Sequence, residues 1–294
     1  MNYNILIIGG DERELEVGKE LQKSGCKVKI IGFGSYSYYT PLERVSLVSL
    51  MDVLKIADAV ITPLPGTNNK GKVYASHSKE DIHLTREVLK NIKPGIPFFI
   101  GKVKPLLKNS LENCGVKIFE VAEMDEVAII NSIPTAEGAV QLAMEETKTT
   151  IHSSHSMVIG FGRCGFTLAR TLHGLGARVT VVARDNALLA RAYEMGFQPL
   201  HLKHMEGYME KYEIIFNTVP AMVLNEELIS KLNPETIIID IASRPGGTDF
   251  QAAKNRGIKA FLPPGLPGRV APKTAGQMLA RIYIRLLQQH YKNK

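Results

Sequence analysis

The stretch "MVIGFGRCGFTLARTLHGLGARVTVVARD", residues 157–185, decides the fold. A short β-branched run leads into Gly160, Gly162 and Gly165, which open an apolar-periodic stretch over 163–175. Gly176 breaks that stretch, and a second β-branched run closes at Ala183. Strand, glycine turn, helix, glycine and strand in this order describe a dinucleotide-binding unit. The first glycine permits the tight turn, the second lets backbone approach a pyrophosphate, and the third lets the helix lie close to the sheet. The helix start offers free N–H groups and the positive end of its dipole. Arg163 and Cys164 therefore join the glycines as expected cofactor-binding positions.

What closes the second strand selects the cofactor. A carboxylate there would bond the adenosine ribose hydroxyls and repel a 2′-phosphate. This chain has Ala183, which removes the carboxylate, followed by Arg184, whose guanidinium suits a phosphate. Asp185 lies beyond the strand end and reads as the cap of a helix starting near Asn186. The expected cofactor is NADP.

The same rhythm fills the chain. In the first half "NILIIGG" (4–10), "KVKIIGF" (27–33), "DAVITPLP" (58–65), "IPFFIG" (96–101) and "VKIFEV" (116–121) read as strands between helix-length stretches. In the second half "SMVIGFG", "RVTVVAR", "EIIFNTV", "TIIIDIA" and "KAFLPP" do the same. Such alternation predicts an α/β chain of two tandem doubly wound, Rossmann-like parallel-sheet domains with an interdomain cleft. The two halves open alike, "IIGGDERELEVGKELQKSGCKV" (7–28) against "VIGFGRCGFTLARTLHGLGARV" (158–179). The expected bounds are a first, substrate-binding domain at 1–133 and a linker helix at 134–152 that starts at Pro134. The cofactor domain follows at 153–272, and a C-terminal helix at 273–294 returns to the first domain.

Composition narrows the function. Of 294 residues 45% are hydrophobic and 22% charged, an ordinary globular balance. Apolar runs such as "TIIIDIA" (236–242) are too short to span a bilayer. The N-terminus carries neither a basic stretch nor a small-residue cleavage site, so a cytoplasmic location and no membrane are expected. Cys26, Cys114 and Cys164 are scattered without metal-ligand spacing, and no metal is expected. A net charge of +7 suits anionic ligands, while the lack of a Lys/Arg run or an aromatic-interleaved basic stripe argues against nucleic acid.

In open α/β sheets ligands bind beyond the carboxyl ends of the strands. That rule turns Asn217, Thr218, Val219 and Pro220, and then Asp240, Ala242 and Ser243, toward the cofactor, with Arg244 beside them. "PPGLPGRVAPKTAGQ" (263–277) adds Gly265, Leu266 and Pro267 as substrate-binding positions, with Arg269 and Lys273 as cations for a carboxylate. In the first half "GGDER" (9–13) carries Asp11 and Arg13, and Thr62 and Pro63 begin a long polar loop, 62–78, read as a lid. Thr135, Glu137 and Gly138, at the expected start of the linker helix, complete the substrate-binding set.

The second half resembles the cofactor domain of the D-2-hydroxyacid and alanine dehydrogenase group. "ASRPGGTD" (242–249) is similar to the segment carrying that group's carboxylate-binding arginine, which falls on Arg244. Pro245 stands where the group has glycine, and "PPGLPG" (263–268) holds no histidine where the group places its acid/base histidine. Over essentially the whole chain, "GGDERELEV", "ITPLPGTNN", "IPTAEGA", "IGFGRCG", "ASRPGGTDF" and "LPGRVAPKTAG" are similar to the dipicolinate synthase A-subunit family. The resemblance implies NADP-dependent oxidation of a dihydrodipicolinate-type cyclic dicarboxylate to dipicolinate in the mother cell of a sporulating bacterium. It also implies a flavoprotein partner, the B-subunit of dipicolinate synthase. Self-association into a homo-oligomer is a separate expectation. On this reading Arg244 anchors one carboxylate and Arg13 or Lys273 the other. Aromatisation of the ring supplies driving force and lessens the need for an acid/base pair. Two alternatives stay open: a non-catalytic partner protein sensing NADP(H), and a dehydrogenase of a linear 2-oxo or 2-amino acid.

Overall fold

The computed structural model describes residues 1–292. The chain forms two compact units, Met1–Ile130 with the C-terminal segment from Ala271, and Asn131–Val270. The first holds β1 (Asn4–Ile8), β2 (Lys27–Ile31), β3 (Glu43–Arg44), β4 (Ala59–Ile61), β5 (Pro97–Ile100) and β6 (Lys117–Glu120), in the order β3-β2-β1-β4-β5-β6. The second holds β7 (His155–Ile159), β8 (Arg178–Ala183), β9 (Gln198–His201), β10 (Ile214–Asn217), β11 (Ile237–Asp240) and β12 (Lys259–Phe261), in the order β12-β11-β10-β7-β8-β9. Read from opposite ends, these are one topology, and every strand pair is parallel. The strand order reverses beside β1 and beside β7, which is where such sheets bind ligands. The doubly wound α/β fold read from the sequence is the fold observed.

Helices cover both faces of each sheet, so the central strands are apolar on both sides. Ile5 and Ile7 join Leu15 and Leu21 on one face of the first sheet, while Leu6 and Ile8 join Leu54 and Leu89 on the other. In the second unit Val158 and Val181 pack with Leu168 and Leu172, and Met157, Ile159 and Val182 with Met205 and Met209. Sequence reading missed β3 and β9. Both are edge strands: β3 is the exposed pair Glu43–Arg44, and β9 contains Pro199, which an edge tolerates because one side of it bears no ladder.

The chain passes between units inside the helix Asp125–Glu146. The expected linker helix thus begins at Asp125 rather than Pro134. Proline suits a helix start, where its missing N–H costs nothing, but here Pro134 lies within the helix and forgoes one internal bond. The helix Pro272–Lys292 belongs to the first unit, where it packs on the helix Glu12–Lys23 and buries Leu279, Ala280, Ile282, Tyr283, Leu286 and Leu287 in the core. Among the described residues no helix is long and apolar enough to cross a membrane.

Contact between those two helices depends on Gly276, where a Cβ would stand 2.5 Å from the Arg13 carbonyl oxygen. Gly276→Ala is expected to lower stability by about 1–3 kcal/mol. Gly174→Ala, on a helix with nothing within 4 Å of the added methyl, is expected to be neutral or stabilising by up to about 1 kcal/mol. Denaturant midpoints of the two variants check this, and equal effects would contradict the close helix approach.

Candidate functional site

β7 runs into Gly160, whose N–H donates to the Val182 carbonyl at 2.8 Å and whose φ is +91°. A Cβ there would lie 2.4 Å from Thr218 Oγ1, and one on Gly165 would lie 2.1 Å from the Gly160 carbonyl oxygen. Close contact excludes side chains at both positions. Gly162 differs, with nothing within 4 Å. It caps the helix Arg163–Gly174 without any side-chain bond to the first-turn N–H groups. The amino end of a twelve-residue helix is therefore left open, facing a space that a Cβ does not fill. This fits a pyrophosphate. Burial pushes the Cys164 thiol up from its ordinary value, so within this turn Cys164 offers main chain rather than a thiolate.

β8 ends in Ala183, which is buried, and Arg184, which is exposed and makes no hydrogen bond or ion pair among the described residues. Asp185 accepts the Ala187 N–H at 2.7 Å and caps the helix Asn186–Glu194. Its carboxylate is committed to that helix, as the sequence reading holds.

At the ends of β10 and β11 the side chains turn inward. Asn217 and Asp240 are fully buried and bonded to each other at 3.0 Å. Asp240 also accepts from the N–H groups of Ala242 (3.0 Å) and Gly247 (2.8 Å) and from the Thr248 hydroxyl (2.8 Å). Asn217 closes a turn onto Val219, and the Thr218 hydroxyl donates to the Ile159 carbonyl. The sequence reading aimed these side chains outward. A buried carboxylate needs its oxygens bonded, so they instead fix the backbone of 217–220 and 240–248. Ser243 and Arg244 remain exposed at the tip, and the Arg244 side chain makes no bond among the described residues.

The first unit repeats the turn and fills it. Gly9 N–H donates to the Ile31 carbonyl at 2.8 Å, the counterpart of the Gly160 bond. Asp11 then caps the helix Glu12–Lys23, and Glu14 accepts the Asp11 N–H at 2.8 Å, completing a capping box. Arg13 is 3% exposed, with Nε and Nη2 bonded to the two Asp11 carboxylate oxygens at 2.9 and 2.8 Å. Its fork is spent inside the protein. The 62–78 loop lies on this turn and is no free lid: Gly10 N–H donates to the Tyr74 carbonyl, and Ser76 N–H to the Gly10 carbonyl. Thr62 and Pro63 are buried, with the Thr62 hydroxyl donating to the Phe99 carbonyl.

The remaining expected substrate residues divide. Thr135 lies inside the helix Asp125–Glu146 and its hydroxyl bonds the Asn131 carbonyl, so no unpaired helix start exists there. Glu137 is exposed on the same helix. Gly138 permits contact with Leu266 and Val270, and Leu266 and Pro267 are buried packing residues. Gly265 is exposed, as are Arg269 and Lys273, and Lys273 is unpaired among the described residues.

The open, glycine-capped helix in a sheet of this order is the cofactor module of nicotinamide-linked dehydrogenases. Residues 131–294 match the alanine dehydrogenase/PNT C-terminal domain family, and the chain is an oxidoreductase of that nicotinamide-linked class. Residues 4–122 match the N-terminal domain family of the dipicolinate synthase A-subunit. The dipicolinate synthase A-subunit of Bacillus subtilis (strain 168) is 40% identical over 97% of this chain and 96% of its own length. The chain belongs to the dipicolinate synthase A-subunit family. Its structure is similar to those of the dipicolinate synthase A-subunits from Bacillus halodurans (TM-score 0.90, 38% identity, 97% of each chain) and Bacillus subtilis (TM-score 0.90, 39% identity, 100% and 98%). A transhydrogenase from Sinorhizobium meliloti (TM-score 0.71, 15% identity, 97% and 93%) shares the fold.

At the filled helix end of the first unit, burial and the adjacent Asp11 carboxylate push Glu14 up to about 7. Burial also opposes charge on Asp11, but the bonded Arg13 guanidinium holds it below its ordinary value. Between about 4.5 and about 7 the folded protein holds the Glu14 proton more tightly than the unfolded chain, so this contribution to stability is lost as pH rises through that window. Asp11 acts below 3.8 and does not overlap it. Glu14→Gln keeps an acceptor for the Asp11 N–H and does not titrate. Its melting temperature is expected to gain on the wild type as pH rises from about 4.5 to about 7. A constant difference across that range would show that Glu14 ionises normally.

Proposed function

We propose that this chain is the NADP-dependent A-subunit of a dipicolinate-forming synthase, oxidising a dihydrodipicolinate-type cyclic dicarboxylate. The observation that carries this function is the open amino end of the helix Arg163–Gly174 beside a strand that ends Ala183–Arg184. Bound NADP⁺ supplies the hydride acceptor. The turn from Gly160 to Gly165, with the main chain of Arg163 and Cys164, holds the pyrophosphate. Ala183 leaves room at the ribose, and Arg184 offers an unpaired guanidinium to the 2′-phosphate. The buried Asn217–Asp240 pair keeps the Val219–Pro220 and Ala242–Ser243 backbone rigid at the nicotinamide end.

The substrate gives up one hydride and one proton and becomes an aromatic pyridine, so no oxidant beyond the nicotinamide is needed. Two carboxylates call for cationic partners. Arg244 is exposed and unpaired among the described residues and serves one of them. Lys273 has the same exposed, unpaired character among the described residues, whereas the Arg13 fork is bonded to Asp11 and braces that turn. A flavoprotein partner, self-association and a mother-cell location belong with this function. The relatives, each named as the A-subunit or A chain of dipicolinate synthase, support a partner subunit.

NADPH is expected to bind at least tenfold tighter than NADH, about 1.4 kcal/mol. Arg184→Ala should weaken NADPH and spare NADH in a binding titration. Equal affinities in the wild type would contradict NADP as the cofactor. Arg244→Lys, which loses the bidentate fork, should lower kcat/KM about 10- to 150-fold while NADPH binding holds. Turnover followed at 340 nm with the reconstituted synthase checks this, and a near-normal rate would remove Arg244 from the substrate.

A further inference from the structure

We infer that His201 is a second ligand of the adenosine 2′-phosphate, acting beside Arg184. This rests on the NADP reading above and adds a recognition residue on β9, an element hidden in the sequence. In the β8–β9 ladder Ala183 pairs in register with His201. Val179 and Val181 belong to the core under the helix Arg163–Gly174, so the alternation of the strand puts Ala183 on that face. Leu200 and Leu202, on either side of His201, pack against the opposite core. His201 therefore shares the face of Ala183 and of the glycine-capped helix, one strand spacing of about 4.8 Å away.

That neighbourhood bears on the missing carboxylate. Ala183 removes the group that would bond the ribose hydroxyls, and its small side chain leaves the adjoining imidazole unscreened. The His201 ring is half-buried, and its Nδ1 accepts the Lys203 N–H at 3.1 Å as the cap of the 3₁₀ helix Leu202–Lys211. With Nδ1 accepting, the neutral ring carries its proton on Nε2, a nitrogen that no protein group engages among the described residues. It is thus oriented as a hydrogen-bond donor. Lys203 is exposed next to it, and the His204 ring lies 6.0 Å away centre to centre. A phosphate here meets a guanidinium from the end of one strand and an imidazole N–H from the end of the next. An unphosphorylated ribose brings no anionic charge to these donors, so His201 contributes to discrimination rather than to general affinity.

The test uses the full chain, titrated with NADPH, NADH, 2′-AMP and 5′-AMP. His201→Asn retains an acceptor for the Lys203 N–H and removes the imidazole donor. It is expected to weaken NADPH and 2′-AMP about three- to tenfold and to leave NADH and 5′-AMP unchanged. His201→Asp also preserves the cap and sets a carboxylate against the phosphate, so it should cancel or reverse the preference for NADPH. Unchanged NADPH affinity in His201→Asn overturns the inference, and so does an equal loss for NADPH and NADH, which would mark His201 as a capping residue alone. The cofactor reading fails separately: wild-type protein that does not distinguish NADPH from NADH defeats both. Wild type that discriminates while His201→Asn behaves identically defeats only the role of His201.

Discussion

A helix begins with N–H groups that have no partner of their own, and the two units meet this constraint in opposite ways. In the first unit the chain satisfies them itself. Asp11 caps the helix Glu12–Lys23, Glu14 reaches back to the Asp11 N–H, and Arg13 forks onto the Asp11 carboxylate. In the second unit Gly162 stands at the corresponding place, and as the cap it brings no side chain to the first-turn N–H groups of the helix Arg163–Gly174. One β-α-β frame thus yields an internally sealed turn and an open anion seat. On the proposed function, cofactor binding follows from which residue type occupies the cap.

The sealed turn has consequences for its surroundings. Because Gly10 bonds the main chain of the 62–78 loop on both its N–H and carbonyl sides, that loop is part of the first unit's body. Arg13 is buried among the acids gathered there and bonds Asp11, while burial and the Asp11 carboxylate shift Glu14 toward its neutral form. The open seat relies on different support. Contacts at Gly160 and Gly165 press helix and strand together, and the Asn217–Asp240 pair anchors the loops after β10 and β11. A cofactor that enters such a site meets preformed donors instead of having to order them.

Much of this was legible in the sequence because local chemistry determines it. The glycine spacing, the run of β-branched residues and the Asp185 cap each depend on neighbours within a few positions, and all appear in the structure. What was not legible depends on distant partners. Nothing in "QPLH" marks a strand until β8 is present to pair with it, and β3 is too short and too charged to announce itself. Pro134 reads as a helix start, yet the packed helix Asp125–Glu146 tolerates it in its interior. Asn217, Asp240 and Arg13 are residue types suited to ligands, and only their burial and pairing show that they brace the backbone.

On the proposed function, a cap without a side chain separates the cofactor-binding unit from its sealed counterpart. Gly162→Asp tests this most directly, since the position has an extended backbone that other residues adopt and open space around the added side chain. A carboxylate cap should stabilise the helix by about 0.5–2 kcal/mol while placing negative charge in the pyrophosphate seat. The expected result is a melting temperature equal to or above wild type together with loss of NADPH binding by at least a hundredfold in calorimetric titration. A folded Gly162→Asp protein that binds NADPH as the wild type does would contradict the account.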